Sequence, residues 1–132
     1  MDLEGKVRRV TTRERGLAAE DRALQHLQAQ GLRMVARNFK TPGRGGGEID
    51  LIMRERDGTL VFVEVRLRSR SDRGGAGASI TATKRRRIVL AARHFLLRCR
   101  SMPPCRFDAV LIDGPEGELQ WLRAAFDAGD AG

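Results

Sequence analysis

The spacing of apolar residues along the chain changes between a helical period and a period of two, which distinguishes helices from strands. The helical period runs from about Thr12 to Gln30, where Gly31 follows as a favoured residue just past a helix. It returns from about Thr83 to Arg98. The shorter period predicts strands at about residues 32–39, 47–52, 60–66 and 107–112, and a last short segment lies around residues 119–122.

The first predicted helix carries a glutamate within its apolar stripe. Leu17, Leu24 and Leu27 form this stripe with Ala23 at its edge, and Glu20 falls in the middle. A glutamate on the core-facing side of a helix costs free energy unless it is paired or binds a cation. A slightly rotated helix with Glu20 at its rim would explain the same pattern, so both interpretations stay open.

Two of the predicted strands form a hairpin that carries two carboxylates. Asp57-Gly58 lies between strands 47–52 and 60–66 and is a strong short-range hairpin signal. Side chains alternate faces along each strand, so pairing should bring Asp50 and Glu64 together. On the first strand, one predicted face carries Glu48, Asp50 and Ile52, and the other carries Ile49 and Leu51. On the second strand, one face carries Phe62, Glu64 and Arg66, and the other carries Val61, Val63 and Val65. Converging carboxylates in apolar surroundings repel and lose hydration, so we expect a divalent metal to compensate them.

The expected metal is Mg²⁺ or Mn²⁺, because carboxylate and carbonyl oxygens are the ligands that these cations take. Asp50 and Glu64 supply the carboxylates, and the backbone carbonyl of Val65 lies beside them on the same strand. Glu20 could reach the metal or orient a water if its helix packs over the sheet. Such a metal could polarise a phosphate and lower the pKa of an attacking water.

Two cations accompany the predicted site. Arg66 follows Glu64 on the same face and could hold a phosphate with its planar guanidinium. Lys84 lies four residues before Ile88 and continues the buried stripe of the second helix, so it could approach the site from that helix. The stripe consists of Ile88, Ala91, Ala92, Phe95 and Leu96.

The composition fits one charged domain. The chain has 132 residues, of which 41% are hydrophobic and 32% charged. We expect a flexible basic arm at residues 1–12, a single domain at 13–127 and a flexible tail at 128–132.

No apolar run reaches the length of a membrane span, and the first residues contain no apolar stretch typical of a signal peptide. Cys99 and Cys105 form neither a disulfide framework nor a metal motif, so we expect reduced thiols in a cytoplasmic protein.

The net charge of +8 and the pI near 11.1 indicate a polyanionic partner. Nucleic acid, expected to be DNA, comes ahead of a membrane surface. Arg85, Arg86 and Arg87 lie where cations oppose the macrodipole of the second helix, so phosphate contact explains them better than helix stability. Arg70 and Arg73 lie in the preceding glycine-rich connection, which could wrap a phosphate backbone. The simpler explanations are a solvated basic turn for the three helix arginines and an ordinary loop for the glycine-rich connection.

The order Asp50, hairpin, Glu64-Val65-Arg66 resembles the D…(D/E)-x-K signature of the restriction-endonuclease-like superfamily. More closely, the chain resembles the small bacterial YraN-type proteins, which are related to archaeal Holliday junction resolvases. The likeness covers about Gly16 to Ile112, and the order and spacing of its segments make it more specific than the signature alone. The matching segments are Gly16-x-x-x-Glu20-x-x-Ala23-x-x-x-Leu27, Arg37-Asn38, Gly47-Glu48-Ile49-Asp50-Leu51, Val61-Phe62-Val63-Glu64-Val65-Arg66, Lys84 and Arg106-Phe107-Asp108.

The resemblance implies an α/β fold with an α-β-β-β-α-β core, in which helices flank a mixed central sheet, and it implies a divalent metal and a nucleic-acid substrate. Glu20, Asp50 and Glu64 match the acidic residues of the pattern, and Arg66 takes the lysine position. Arginine stays charged in proteins, so Arg66 can stabilise charge or position water but should not act as a general base. Lys84 could fill that vacant role.

The leading hypothesis for function is a metal-dependent endonuclease that hydrolyses phosphodiester bonds in structured or branched DNA. The alternative is a non-catalytic nucleic-acid-binding module with the same fold. A third is a protein-interaction module in which Asp50 and Glu64 only form ion pairs with arginines. It explains poorly why Glu20, Asp50, Glu64 and Lys84 should meet at one place. Symmetric cleavage of branched DNA would favour a homodimer.

Overall fold

The computed structural model describes residues 9–68, 80–114 and 116–131. Arg70 and Arg73, which were predicted to contact nucleic acid, lie outside the described residues, as does most of the predicted basic arm. The elements are, in chain order, α1 (Thr12–Ala29), β1 (Arg33–Lys40), β2 (Glu48–Arg54), β3 (Leu60–Arg68), α2 (Ala82–Leu96), β4 (Cys105–Asp113), β5 (Leu119–Phe126) and a 3-10 helix (Ala128–Ala131).

The five strands form one mixed sheet in the order of the sequence. The pairs β1–β2, β2–β3 and β4–β5 are antiparallel, and β3–β4 is parallel. A parallel pair requires a crossover connection, and α2 supplies it between β3 and β4. The predicted α/β fold with a mixed sheet and flanking helices is confirmed. β5 adds a full strand where the sequence indicated only a short segment.

Side-chain caps fix the first turns of both helices. The Thr11 hydroxyl accepts a hydrogen bond from the Glu14 amide at 3.1 Å, and the Glu14 carboxylate accepts one from the Thr11 amide at 2.9 Å. Gly31 follows α1 with a φ of 98°, a conformation that favours glycine. At α2, the Thr81 hydroxyl accepts from the Lys84 amide at 3.1 Å, so Lys84 lies in the first helical turn. No helix within the described ranges is long and apolar enough to cross a membrane.

The turn between β2 and β3 has the predicted Asp57-Gly58 centre. The Glu55 amide donates to the Thr59 carbonyl at 2.9 Å, and the Asp57 carboxylate accepts from the Thr59 amide at 2.9 Å. Gly58 has a φ of 94°, which a residue with a Cβ rarely adopts. These local bonds set the hairpin register, in which Leu51 pairs with Val63.

Hydrophobic clusters cover both faces of the sheet. On one face α2 packs against aromatic residues, with Phe107 stacked between Phe62 and Phe126 at centroid distances of 5.5 and 4.9 Å. On the other face α1 packs against Val61 and Val63. The predicted faces of β3 are therefore confirmed, and burial of both faces supplies the main stabilising term of the domain.

The buried face of α1 differs from the prediction. Ala19, Ala23 and Leu27 face the sheet, whereas Leu17 is 38% exposed. The helix is therefore rotated relative to the leucine stripe, and Glu20 lies beside its buried face rather than in the middle of it. Small alanines allow the helix to approach the sheet closely, which a count of large apolar residues does not anticipate.

Strict alternation also fails in two strands. Ile49 packs in the same cluster as Ile52 instead of with Leu51, so the predicted faces of β2 are wrong at this end. Met34 and Val35, which are consecutive hydrophobic residues of β1, are both exposed because β1 is an edge strand with a register shift at this point.

Candidate metal centre

Asp50 and Glu64 meet where the pairing of β2 with β3 ends. Leu51 and Val63 are the last paired residues, and the same register continued by one residue places Asp50 opposite Glu64. The ladder does not continue there. Instead, Asp50 Oδ2 accepts a hydrogen bond from the Val65 amide at 2.8 Å. The carboxylate thus replaces a backbone acceptor and is held beside Glu64.

Negative charge on Asp50 is poorly compensated. Burial raises the pKa of Asp50 to about 7, and the adjacent Glu64 charge adds to the rise, while the Val65 amide and Lys84 oppose it. The Glu64 side chain is only 4% exposed. With its pKa at about 7, Asp50 binds a proton readily near neutral pH, and a cation beside it would favour the ionised carboxylate instead.

This donor set fits Mg²⁺ or Mn²⁺ better than a metal that needs many protein ligands. Among the described residues, no group of three or more His, Cys, Asp or Glu side chains is arranged to hold a metal ion. Mg²⁺ is usually bound by one or two carboxylates and keeps several waters or phosphate oxygens. Asp50, Glu64 and the carbonyl of Val65 match that requirement, and a cation would relieve the charge that raises the pKa of Asp50.

Lys84 reaches the carboxylate pair from α2. Its Nζ lies 3.1 Å from Glu64 Oε2, and its side chain is 48% exposed. Arg66 is half-buried on the same strand as Glu64, two residues further on. The structure therefore brings Asp50, Glu64 and Lys84 together and leaves Lys84 open to solvent on one side.

Glu20 lies at the rim of the site rather than within it. Its Oε1 accepts a hydrogen bond from Arg37 Nε at 3.3 Å. Burial and then the negative charge of Asp50 raise the pKa of Glu20, while hydrogen bonds from Arg37 and Asn38 lower it. Glu20 is thus close enough to Asp50 to be affected by its charge, but one of its oxygens is bound to β1.

No role was predicted for Arg37 and Asn38 from the sequence, although both belong to the matching segments. Arg37 also donates to Asp21 at 2.7 Å and to the Leu17 carbonyl at 3.2 Å, so it joins β1 to α1. Asn38 has a φ of 54° and lies opposite Asp50 in the register of β1 and β2. An asparagine inside a predicted strand was the available signal, because asparagine is depleted in strands and tolerates positive φ.

Each of the three α2 arginines donates a hydrogen bond to another residue of the protein. Arg85 is half-buried, whereas Arg86 and Arg87 are exposed. Their acceptors are the Ile80 carbonyl for Arg85 at 3.1 Å, the Thr83 hydroxyl for Arg86 at 3.2 Å and the Gly46 carbonyl for Arg87 at 3.0 Å.

Asp108 is a buried carboxylate that is surrounded by hydrogen-bond donors of the protein. Asp108 is fully buried and accepts hydrogen bonds from Arg106 at 2.9 and 3.0 Å. The Trp121 indole and the Ala124 amide also donate to it, both at 2.9 Å. Ala124 has a φ of 50°, in the irregular part of β5. These donors satisfy Asp108 internally, in contrast to the Asp50–Glu64 pair.

Comparison with known proteins gives the family. The model described as "Uncharacterised protein family UPF0102" matches residues 19–112, which include Glu20, Asp50, Glu64 and Lys84. The chain belongs to the UPF0102 family. A UPF0102 protein from Paracidovorax citrulli (strain AAC00-1) is 71% identical over 125 residues, covering 95% of this chain and 91% of that protein. Another from Acidovorax sp. (strain JS42) is 70% identical over 118 residues, covering 89% of this chain and 88% of that protein.

A solved structure titled "Crystal structure of SSO0001" is also similar to this chain. It is 13% identical and the similarity covers 84% of this chain and 53% of that chain, with a TM-score of 0.34. Similarity at this level carries no functional meaning for the UPF0102 protein.

Proposed function

We propose that this UPF0102 protein is a divalent-metal-dependent endonuclease that hydrolyses phosphodiester bonds in structured or branched DNA. The supporting observation is the pairing of half-buried Asp50 with buried Glu64, with Lys84 Nζ at 3.1 Å from Glu64 Oε2. A carboxyl whose pKa is strongly raised, as that of Asp50 is, beside a second carboxylate and a lysine is more typical of a functional site than of a structural ion pair. The match of the chain to the D…(D/E)-x-K pattern supports the same reaction.

Asp50, Glu64 and the Val65 carbonyl would hold Mg²⁺ or Mn²⁺. When bound, the cation would polarise the phosphate and lower the pKa of a water. The hydrogen bond from the Val65 amide to Asp50 Oδ2, at 2.8 Å, fixes the orientation of that carboxylate before any ligand arrives. Such preorganisation reduces the cost of assembling the site.

Arg66 and Lys84 would together take the roles of the single lysine in the superfamily pattern. Arg66 keeps its charge and would stabilise negative charge on the phosphate. Lys84 carries three donors, of which Glu64 engages one, so it would hold a water or phosphate oxygen beside that carboxylate. Glu20, bound to Arg37 at the rim, would orient a water.

DNA is the substrate that the charge favours, since a protein with a net charge of +8 attracts polyanions. A homodimer would present two sites to a branched substrate. The second candidate function, a DNA-binding module that does not cleave, is favoured by one observation: arginine occupies the lysine position at Arg66.

A cleavage assay separates the two functions. Linear, flapped and four-way DNA are incubated with Mg²⁺ or Mn²⁺ and with wild type, Arg66→Ala, Arg66→Lys or the control Arg56→Ala, whose side chain is exposed on the distant hairpin turn. We expect cleavage by wild type, a loss of about 10² to 10³ in rate for Arg66→Ala, and retained activity for Arg66→Lys and the control. Binding without cleavage, in wild type and in Arg66→Lys alike, would establish the non-catalytic function instead.

A further inference from the structure

The glycine-rich loop Thr41–Gly47, which joins β1 to β2, is closed by its own hydrogen bonds. The Thr41 amide donates to the Gly47 carbonyl at 3.0 Å, and the Gly47 amide donates to the Thr41 hydroxyl at 2.6 Å. Within the loop, the Gly46 amide donates to the Gly43 carbonyl at 3.3 Å. Its two ends are therefore fixed together, and the loop holds a defined shape three residues before Asp50.

The same loop is attached to α2. Arg87 Nε donates to the Gly46 carbonyl at 3.0 Å. A Cβ at Gly47 would lie 2.0 Å from the Arg87 carbonyl oxygen and 2.9 Å from the Ala91 amide nitrogen, so only glycine allows this contact. Arg87 is one helical turn after Lys84, which contacts Glu64. The loop thus lies beside the helical turn that reaches the carboxylate pair.

The tip of the loop presents an exposed cation with open space around it. Arg44 is exposed, and Gly43 and Gly45 on either side have φ values of 89° and 71°. A Cβ at either glycine would meet nothing within 4 Å. The positive φ values require glycine or a close substitute, and the bare backbone lets another chain approach the loop closely. Neither packing nor an ion pair with a described residue accounts for an arginine at this place.

We propose that the loop Thr41–Gly47 binds the phosphodiester backbone of DNA next to the carboxylate pair, with Arg44 making the charged contact. A planar guanidinium matches two phosphate oxygens, and the small flanking residues admit the strand. Arg87 then acts by holding the loop on α2, not as the principal phosphate contact. This proposal rests on the proposed function, because it takes DNA to be the substrate of the site.

The test measures how the affinity for a duplex DNA oligonucleotide changes with salt, in EDTA so that no metal supports cleavage. Wild type, Arg44→Gln and the matched control Arg56→Gln are titrated between about 50 and 200 mM salt. Losing one phosphate contact should reduce the slope of log K against log salt by about 0.9, in Arg44→Gln alone. Mn²⁺ binding by Arg44→Gln should equal that of wild type, because its side chain is exposed and outside the carboxylate pair.

Two results would overturn the proposal in distinguishable ways. If wild type binds DNA but Arg44→Gln has the same slope, the strand runs elsewhere and the proposed nuclease survives. If wild type binds no DNA even at the lowest salt, both the loop contact and the proposed function fail.

Discussion

Replacing Asp50 with asparagine should stabilise the metal-free protein above neutral pH. Asparagine keeps an acceptor for the Val65 amide but removes the charge that burial and Glu64 oppose. The pKa of Asp50 rises from an ordinary value of 3.8 to about 7, so the folded protein binds this proton more tightly than the unfolded chain does. Wild-type stability should therefore fall as the pH rises from about 4 to about 7, and remain low above that range.

The expected size follows from the same pKa. At about 1.4 kcal/mol for each tenfold change in proton affinity, Asp50 destabilises the folded state by about 2 kcal/mol at pH 5, where folding requires the carboxylate to take up a proton, and by about 4 kcal/mol at pH 8, where the carboxylate is ionised in the folded state. A domain of this size has a total stability of roughly 5 to 15 kcal/mol, so the cost is large. Asp50→Asn does not incur this free-energy cost, so it should melt roughly 10 °C higher than wild type at pH 8.

Urea unfolding at pH 5 and pH 8 in EDTA measures this difference. Asp57→Asn is the control, because Asp57 is an exposed carboxylate in the hairpin turn and asparagine can keep its bond to the Thr59 amide. The stability advantage of Asp50→Asn over wild type should grow by about 2 kcal/mol between the two pH values, while that of the control should not. An advantage that is the same at pH 5 and pH 8 would refute the assignment of a raised pKa to Asp50.

Three further changes have defined outcomes. Arg37→Ala should raise the pKa of Glu20 further, because it removes a hydrogen bond that favours the carboxylate. A carboxyl NMR titration measures this pKa, and an unchanged pKa of Glu20 would contradict the role of the contact. Asp108→Ala should cost about 3 kcal/mol in urea unfolding, because the Trp121 indole and the Ala124 amide lose their acceptor and Arg106 keeps only Glu55. A loss below about 1 kcal/mol would contradict this. Gly47→Ala should lower the melting temperature because its Cβ would lie 2.0 Å from the α2 backbone, whereas an unchanged melting temperature would show that the loop is not attached there.

The carboxylate hairpin could be predicted because its signals are local. Asp57-Gly58 sets the turn, and the strand period places Asp50 and Glu64 near each other. The buried stripe of α2 likewise placed Lys84 toward the site. In each case neighbouring residues determine the conformation, so a single sequence contains the information.

The support around the pair could not be predicted, because it depends on how separate elements pack. Arg37 binds Glu20 only because α1 lies over β1, and the rotation of α1 that exposes Leu17 depends on its alanines. Arg87 was predicted to contact phosphate from its charge and its position near the start of the second helix, whereas its bond to the Gly46 carbonyl requires the loop and α2 to meet. Periodicity does not contain such long-range contacts.

The proposed nuclease activity depends most on the binding of a divalent cation by Asp50 and Glu64. Isothermal titration calorimetry with Mn²⁺ at neutral pH compares wild type with Asp50→Asn, Glu64→Gln and the control Asp57→Asn. We expect wild type and the control to bind Mn²⁺ equally, and the other two variants to lose more than about tenfold in affinity, as expected when a ligand is removed. Equal Mn²⁺ affinity in all four proteins would contradict the metal centre, and with it the proposed nuclease.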